Sequence, residues 1–369
     1  MCGFLVHFPL DRNNKFDKSR FIKSAKLISH RGPDDTQKFF NQDVNIIFYR
    51  LSIIDQSNSG RQPMFSFSKR YLIVFNGEIY NAQNLKKLLD KKQLKGNSDT
   101  EILVNLFEKY GVNILEKIDG MFSFFIYDFK NKSGFIARDR FGIKPLYYLK
   151  KDKYILLSSE IKPILKYSKK NTFNDRAFAD FLIRQKMDHE NSTFFKEINS
   201  LEPCNYAFIK SKKIFKKSYW DIKEKIINSD FSTLKKKYFD LFEKSVEKHL
   251  ISDRKIGLLF SAGTDSTMLA TLMKKRLNYS VQTYTYDFIN NKFGDSYKSK
   301  IISNKLNIIN KTTLVRPLDI KKDIKKVCLE LESPFTSIRI FGVRKALQLM
   351  KEDNLSVVFE GGGGDEILG

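Results

Sequence analysis

Through residue 210 the apolar positions fall in short runs rich in Ile, Phe, Tyr and Val, the residue types that suit a pleated surface. Strands are expected over 44–54, 71–76, 121–129, 134–139, 153–159 and 206–210, with amphipathic helices over 17–30 and 84–94. Ser98-Asp99-Thr100-Glu101, followed by Ile102, Leu103, Leu106 and Phe107, has the form of a capping box opening a further helix. Many strands with few helices predict an α+β layered domain over 1–210. Residues 211–232 are Lys-rich and weakly patterned and read as a linker.

Beyond the linker the rhythm changes. A helix over 231–250 leads into strands at 255–260, 281–286, 308–314 and 356–359, with helices at 266–276 and 296–306 and two more before the last strand. Strands alternating with helices predict an α/β doubly wound parallel sheet over 233–369. The chain stops in a glycine cluster directly after a strand, so this second domain is expected to be incomplete.

Composition narrows the class. At 369 residues the chain can bury two cores, and 41% apolar with 29% charged residues is a globular rather than a disordered profile. No apolar run approaches the ~20 residues needed to span a bilayer. The opening MCGFLVHFPLDRNNKF lacks the form of a secretory signal. Cys2, Cys204 and Cys328 are too scattered for a disulfide framework or a C-x-x-C metal site, so a reducing, cytoplasmic setting is expected, with no membrane partner. A net charge of +24 would suit nucleic acid. The lysines are dispersed along the whole chain, however, so the charge is read as a solvated surface and no nucleic-acid partner is expected.

Candidate chemistry begins at Cys2. Removal of Met1 would leave a thiol and a free α-amine on one residue, and an amine titrating near ~7.7–8 can act as base for its own nucleophile. A lone cysteine also reads as a small buried apolar residue. The segments HRGPDD (30–35), YRLSIID (49–55), FNGEIYN (75–81), SDTE (98–101), DGMFSFFIYD (119–128) and ARDRFGIKPLYY (137–148) follow in order. Together with Cys2 they resemble the class II glutamine amidotransferase domain, of the amino-terminal-nucleophile αββα sandwich fold. The resemblance implies that Cys2 attacks the glutamine amide, with the Asn76 side chain and Gly77 N–H as oxyanion donors. It further implies Arg50 for the substrate carboxylate and Glu78 and Asp99 for its ammonium. Read singly, Asn76-Gly77 suits a hairpin turn, Asp99 a first helical turn, and Arg50 and Glu78 a surface ion pair.

The second candidate is Ser261-Ala262-Gly263-Thr264-Asp265-Ser266, small residues placed between a strand and a helix, where N–H groups collect an anion. It lacks the Walker lysine. It resembles the pyrophosphate loop of ATP-pyrophosphatase-type synthetases, as Phe359-Glu360-Gly361-Gly362-Gly363-Gly364-Asp365-Glu366 resembles a second nucleotide loop of asparagine synthetases. The resemblance implies ATP bound by Leu259, Ser261, Gly263, Asp265, Ser266 and Gly361, and Mg2+ held by Asp265 and Asp365. Ala262, Thr264 and Gly362 depart from the family pattern, as does Asp295-Ser296.

The implied partners are glutamine, ATP and a carboxylate acceptor. The acceptor is aspartate by family frequency, or another carboxylate such as a sugar acid given the departures at Gly362 and Ala262. A non-catalytic glutamine-sensing module is the rival class, and homodimer formation is left open.

Overall fold

A computed structural model describes residues 1–11, 15–55, 57–90, 92, 94–169, 172–187, 189, 191–291 and 294–364. The chain divides into two compact units, Met1–Lys225 and Ile226–Gly369.

The first unit runs β1 (Gly3–Pro9), α1 (Lys18–Ala25), β2 (Asp35–Phe40), β3 (Asn45–Arg50), β4 (Met64–Phe65), β5 (Tyr71–Ile79), α2 (Ala82–Lys86) and α3 (Asp99–Tyr110). There follow α4 (Ile114–Lys117), β6 (Gly120–Asp128), β7 (Ser133–Arg138), β8 (Tyr147–Lys150), β9 (Tyr154–Ser158), α5 (Ile161–Ser168), α6 (Asp175–Arg184), β10 (Ile198–Ser200), β11 (Asn205–Lys210) and β12 (Lys213–Ser218). These strands form two antiparallel six-stranded sheets, ordered β10-β8-β9-β1-β3-β2 and β12-β11-β7-β6-β5-β4.

Strands here are apolar on both faces because both faces are covered. In β1, Phe4, Val6 and Phe8 enter the core between the sheets with Ile46 and Phe48 of β3 and Leu72 and Val74 of β5. The intervening Leu5 and Ile47 pack outward with Phe21 of α1 and Ile161 and Ile164 of α5. On the other sheet Ile73, Phe75, Phe122 and Phe124 pack with Ile102, Leu103 and Leu106 of α3. The result is the helix–sheet–sheet–helix sandwich of the amino-terminal-nucleophile fold.

Several elements differ from expectation. β1, central in its sheet, was not among the expected strands, because its ten-residue opening carries His7 and Pro9 among the apolar positions. The helix expected over 84–94 is only α2, ending at Lys86. The stretch expected as linker, 211–232, contributes β12, whose alternating Ile214 and lysines pair with β11 from Asn205 to Lys210. Asn76-Gly77 is not a hairpin turn: β5 continues through it to Ile79, paired with β6. In the expected capping box Ser98 accepts from Glu101 N–H, but the Glu101 carboxylate turns back to the N–H groups of Lys95 and Gly96.

The second unit runs α7 (Phe231–His249), β13 (Ile256–Leu259), α8 (Thr264–Thr271), β14 (Gln282–Phe288), α9 (Asp295–Leu306), β15 (Asn310–Val315), α10 (Pro317–Leu331), α11 (Arg339–Glu352) and β16 (Val357–Phe359). Its four strands are parallel, in the order β15-β14-β13-β16. The chain moves outward from β13 through β14 to β15 and then returns to the other flank of β13. Such a reversal opens a crevice at the carboxyl ends of the two diverging strands, the usual ligand position in this architecture. Ile256, Leu258, Leu269, Ala270 and Met273 are among the residues of its core.

Candidate active site

In the first unit the period-two alternation that builds the core also builds the site. Cys2 precedes Phe4, Val6 and Phe8 on the inward row of β1. Arg50 follows Ile46 and Phe48 on β3, and Asn76 and Glu78 follow Leu72 and Val74 on β5. Where the apolar row stops, its continuation is chemically active. A one-residue slip in any of these strands would turn the group away from the others. Cys2, Arg50, Asn76, Gly77, Glu78 and Asp99 all line one pocket.

Each group is held by the chain around it. The Cys2 thiol donates to the Leu51 carbonyl at 3.6 Å and accepts from Leu51 N–H at 3.5 Å. Burial pushes that thiol up, so a thiolate needs a base beside it. The α-amine of Met1 is buried at the same pocket, which lowers it to about 6, and removal of Met1 would place the α-amine on Cys2 itself. Arg31 Nε donates to the Cys2 carbonyl at 2.9 Å while its Nη1 pairs with Glu160 at 3.0 Å. Arg50 is buried and donates to the carbonyls of Ser57, at 2.8 Å, and Asp55. A Cβ on Gly60 would fall 2.1 Å from Arg50 Nη2, so a side chain there would displace the guanidinium.

Asn76 is 1% exposed, and neither its amide nitrogen nor its amide oxygen has a hydrogen-bond partner among the described residues. Buried amides are almost always paired, so an unpaired one lining a pocket marks a place for a ligand. At Gly77 a Cβ would lie 2.2 Å from the Met121 carbonyl, which forbids any side chain there. Asp99 opens α3 and accepts from Ile79 N–H at 3.1 Å. Burial pushes Asp99 up to about 6 and Glu78 up to about 7, the latter opposed chiefly by the charge of Lys144. Arg50 and Glu78 are therefore buried pocket groups rather than a surface pair, and Asp99, besides opening α3, lines the pocket.

Two residues inside the sequence motifs but not singled out belong to this site. Lys144 is buried and lines the pocket. Arg31 fixes the backbone of the nucleophile candidate. Both are basic residues within longer motifs, and only folding separates their roles from those of their neighbours.

In the second unit a crevice at the ends of β13 and β16 is lined by Leu259, Ser261, Gly263, Asp265, Ser266 and Gly361, all of them expected, together with Tyr286, Asp295, Arg339 and Glu360. The two glycine loops touch: a Cβ on Gly361 would lie 3.0 Å from Asp265 Cβ, and one on Gly364 2.5 Å from an Asp265 carboxylate oxygen. Ser261 and Ser266 hydroxyls meet at 3.3 Å across the start of α8, which begins two residues before expectation. Arg339 Nε donates to the Tyr286 hydroxyl at 3.2 Å on the opposite wall. Ala262 sits at φ +57, a conformation that alanine adopts only under strain. Asp365, expected as a metal ligand, lies outside the described residues.

Comparison with known proteins gives the family of each part of the chain. The glutamine amidotransferase domain family matches residues 1–220, and the asparagine synthase family matches residues 237–369. Asparagine synthetase [glutamine-hydrolyzing] 1 of Bacillus subtilis is 30% identical over all of this chain and 58% of its own length. Asparagine synthetase [glutamine-hydrolyzing] 2 of the same organism is 33% identical over 73% of this chain and 38% of its own. The corresponding maize protein is 30% identical over 75% and 43%. The chain thus spans about half the length of the curated relatives it matches. It belongs to the glutamine amidotransferase family, in the branch whose amidotransferase domain is followed by an asparagine synthase domain.

Proposed function

We propose that the first unit hydrolyses glutamine and that the second activates a carboxylate with ATP to receive the ammonia. Cys2, freed of Met1, attacks the side-chain amide with its own α-amine taking the thiol proton. Ammonia leaves, and water cleaves the resulting thioester to glutamate. The unpaired Asn76 side chain is the observation that carries this reading. Its Nδ2–H and the Gly77 N–H would receive the oxyanion that forms on attack. Arg50 takes the substrate carboxylate, while Glu78 and Asp99 take the ammonium, so the free amino acid is read at both ends.

In the second unit the loop of Ser261, Gly263 and Ser266, at the start of α8, suits a pyrophosphate group. The missing Cβ atoms of Gly361 and Gly364 leave room against Asp265, whose carboxylate would hold a magnesium ion shared with phosphate oxygens. No group of three or more His, Cys, Asp or Glu among the described residues forms a protein-only cage. A magnesium ion held by one or two carboxylates plus phosphates needs none. ATP bound here would transfer AMP to the acceptor and release pyrophosphate, and ammonia would then displace AMP to give the amide. Aspartate is the proposed acceptor, supported by the names of the relatives. Gly362, which has no side chain to meet an acceptor, favours a different carboxylate as the second reading.

Assaying the purified chain for glutamate release from glutamine tests the first step, with Cys2→Ala expected to be silent. Adding ATP, magnesium and aspartate tests the second, with pyrophosphate as the readout. Glutamate release by Cys2→Ala at the parental rate would overturn the assignment.

A further inference from the structure

Lys144 has no place in the steps above, yet it is an ammonium buried at the wall of the glutamine pocket beside Cys2, Asn76, Gly77 and Glu78. A solvent-seeking side chain is not left there by chance. The loop that carries it is bound along its length. Asp139 accepts from the N–H groups of Phe141 at 3.1 Å, Ile143 at 2.9 Å and Lys144 at 3.0 Å, and from Phe122 N–H of β6 at 3.1 Å. Arg138 Nε donates to the Lys144 carbonyl at 2.9 Å, and its Nη2 donates to the Gly142 carbonyl at 2.6 Å. Gly142 supplies the φ of +67 that turns the loop inward. The backbone of Lys144 is thus fixed from both sides, and its side chain is delivered to the pocket.

We propose, resting on the glutaminase reading, that Lys144 is a positioning residue which holds Glu78 as an anion ready for the substrate's α-ammonium. Burial pushes the Lys144 ammonium down, and the charges acting on it are Glu78 from β5, which opposes this most, Arg31 from the turn after α1, Asp139 of its own loop and Cys2 at the head of β1. Burial raises Glu78, the charge of Asp99 adds to that, and Lys144 opposes it most, ahead of the Met1 α-amine that processing would remove. Burial alone drives protons onto Glu78, and a neutral carboxyl loses the charge-assisted bond to an ammonium. Lys144 opposes that.

The test is the pH dependence of glutamate release between pH 6 and 9 for the parent, Lys144→Arg, Lys144→Gln and Lys144→Met, each also on a Glu78→Gln background. Removing the charge should raise KM for glutamine about tenfold at pH 7, the effect of roughly one pKa unit on the carboxylate. The acid limb of kcat/KM should move to higher pH, while kcat stays within about threefold. Lys144→Arg should keep the parental profile, and on Glu78→Gln the Lys144 changes should have little further effect. Lys144→Gln, closer to lysine in polarity, gives the same reading where Lys144→Met does not fold. An unchanged KM and limb in an active parent background, or an equal loss on Glu78→Gln, would overturn the inference. A parent that releases no glutamate at all would instead remove the glutaminase reading on which it stands.

Discussion

Arg31 donates through Nε to the carbonyl oxygen of Cys2 at 2.9 Å, and through Nη1 to Glu160 at 3.0 Å. The nucleophile candidate is therefore fixed by its backbone and not only by its strand. Arg31→Met should lower kcat for glutamine hydrolysis about 10- to 100-fold, the scale of a sub-ångström to ångström displacement of a reacting group. The KM should move little, since Arg31 is not among the residues that line the pocket. A fall in KM-dependent terms alone, with kcat intact, would contradict this.

Glu160 makes the same network visible in stability. Burial pushes its carboxyl up, but hydrogen bonds from His30 and Lys162 and the charge of Arg31 outweigh that and hold it at about 2. A depressed acid contributes stability above its unfolded value near ~4.3, and that contribution is lost as pH falls toward 2. Its size is on the order of 3 kcal/mol. Urea unfolding of the parent and Glu160→Gln should differ at pH 7 and converge as pH falls from about 4.5 to about 2.

Glu78 and Asp99 run in the opposite sense. Their folded forms, raised by burial to about 7 and about 6, hold protons more tightly than the unfolded chain. Their contribution to stability is present in acid and lost as pH rises through those values. Glutamine recognition needs the ionised forms, so KM should climb as pH drops from 8 to 5.5. Glutamine should raise the unfolding temperature more at pH 8 than at pH 5.5. A pH-independent KM would separate these carboxylates from the substrate ammonium.

The proposed sites lie in separate compact units. Asp265→Ala should abolish ATP-dependent pyrophosphate release yet leave glutamate release within about tenfold, a barrier change of ~1.4 kcal/mol or less. At Ala262, φ +57 carries a cost of about 1–2 kcal/mol that glycine avoids, offset partly by glycine's freedom in the unfolded chain. Ala262→Gly should leave the second unit as stable or up to about 1 kcal/mol more stable and tighten ATP binding. Weaker binding would mean that the alanine methyl makes a contact of its own.

Much of the candidate site was legible in sequence because its motifs are long and in order. The motifs named Cys2, Arg50, Asn76 and Glu78, but the register that joins them was not read: β1 was not expected as a strand, and the strand expected over 71–76 stopped short of Glu78. The glycine loops were equally legible, since strand–loop–helix order places them at a crevice. Lys144 and Arg31 were hidden, each a basic residue within a longer motif whose partners, Glu78 for one and Glu160 for the other, come from 66 and 129 positions away. β12 was hidden for another reason: an exposed edge strand with Lys213, Lys216 and Lys217 has the composition of a linker.

The central claim is that Cys2 is the amino-terminal nucleophile of a glutaminase. Mass spectrometry of the amino-terminal peptide, after rapid quenching of the active protein with glutamine, tests it most directly. The peptide should begin at Cys2 and carry a γ-glutamyl group on its sulfur. A peptide that still begins at Met1, or is unmodified at Cys2 while another residue carries the glutamyl group, in protein that releases glutamate, would contradict it.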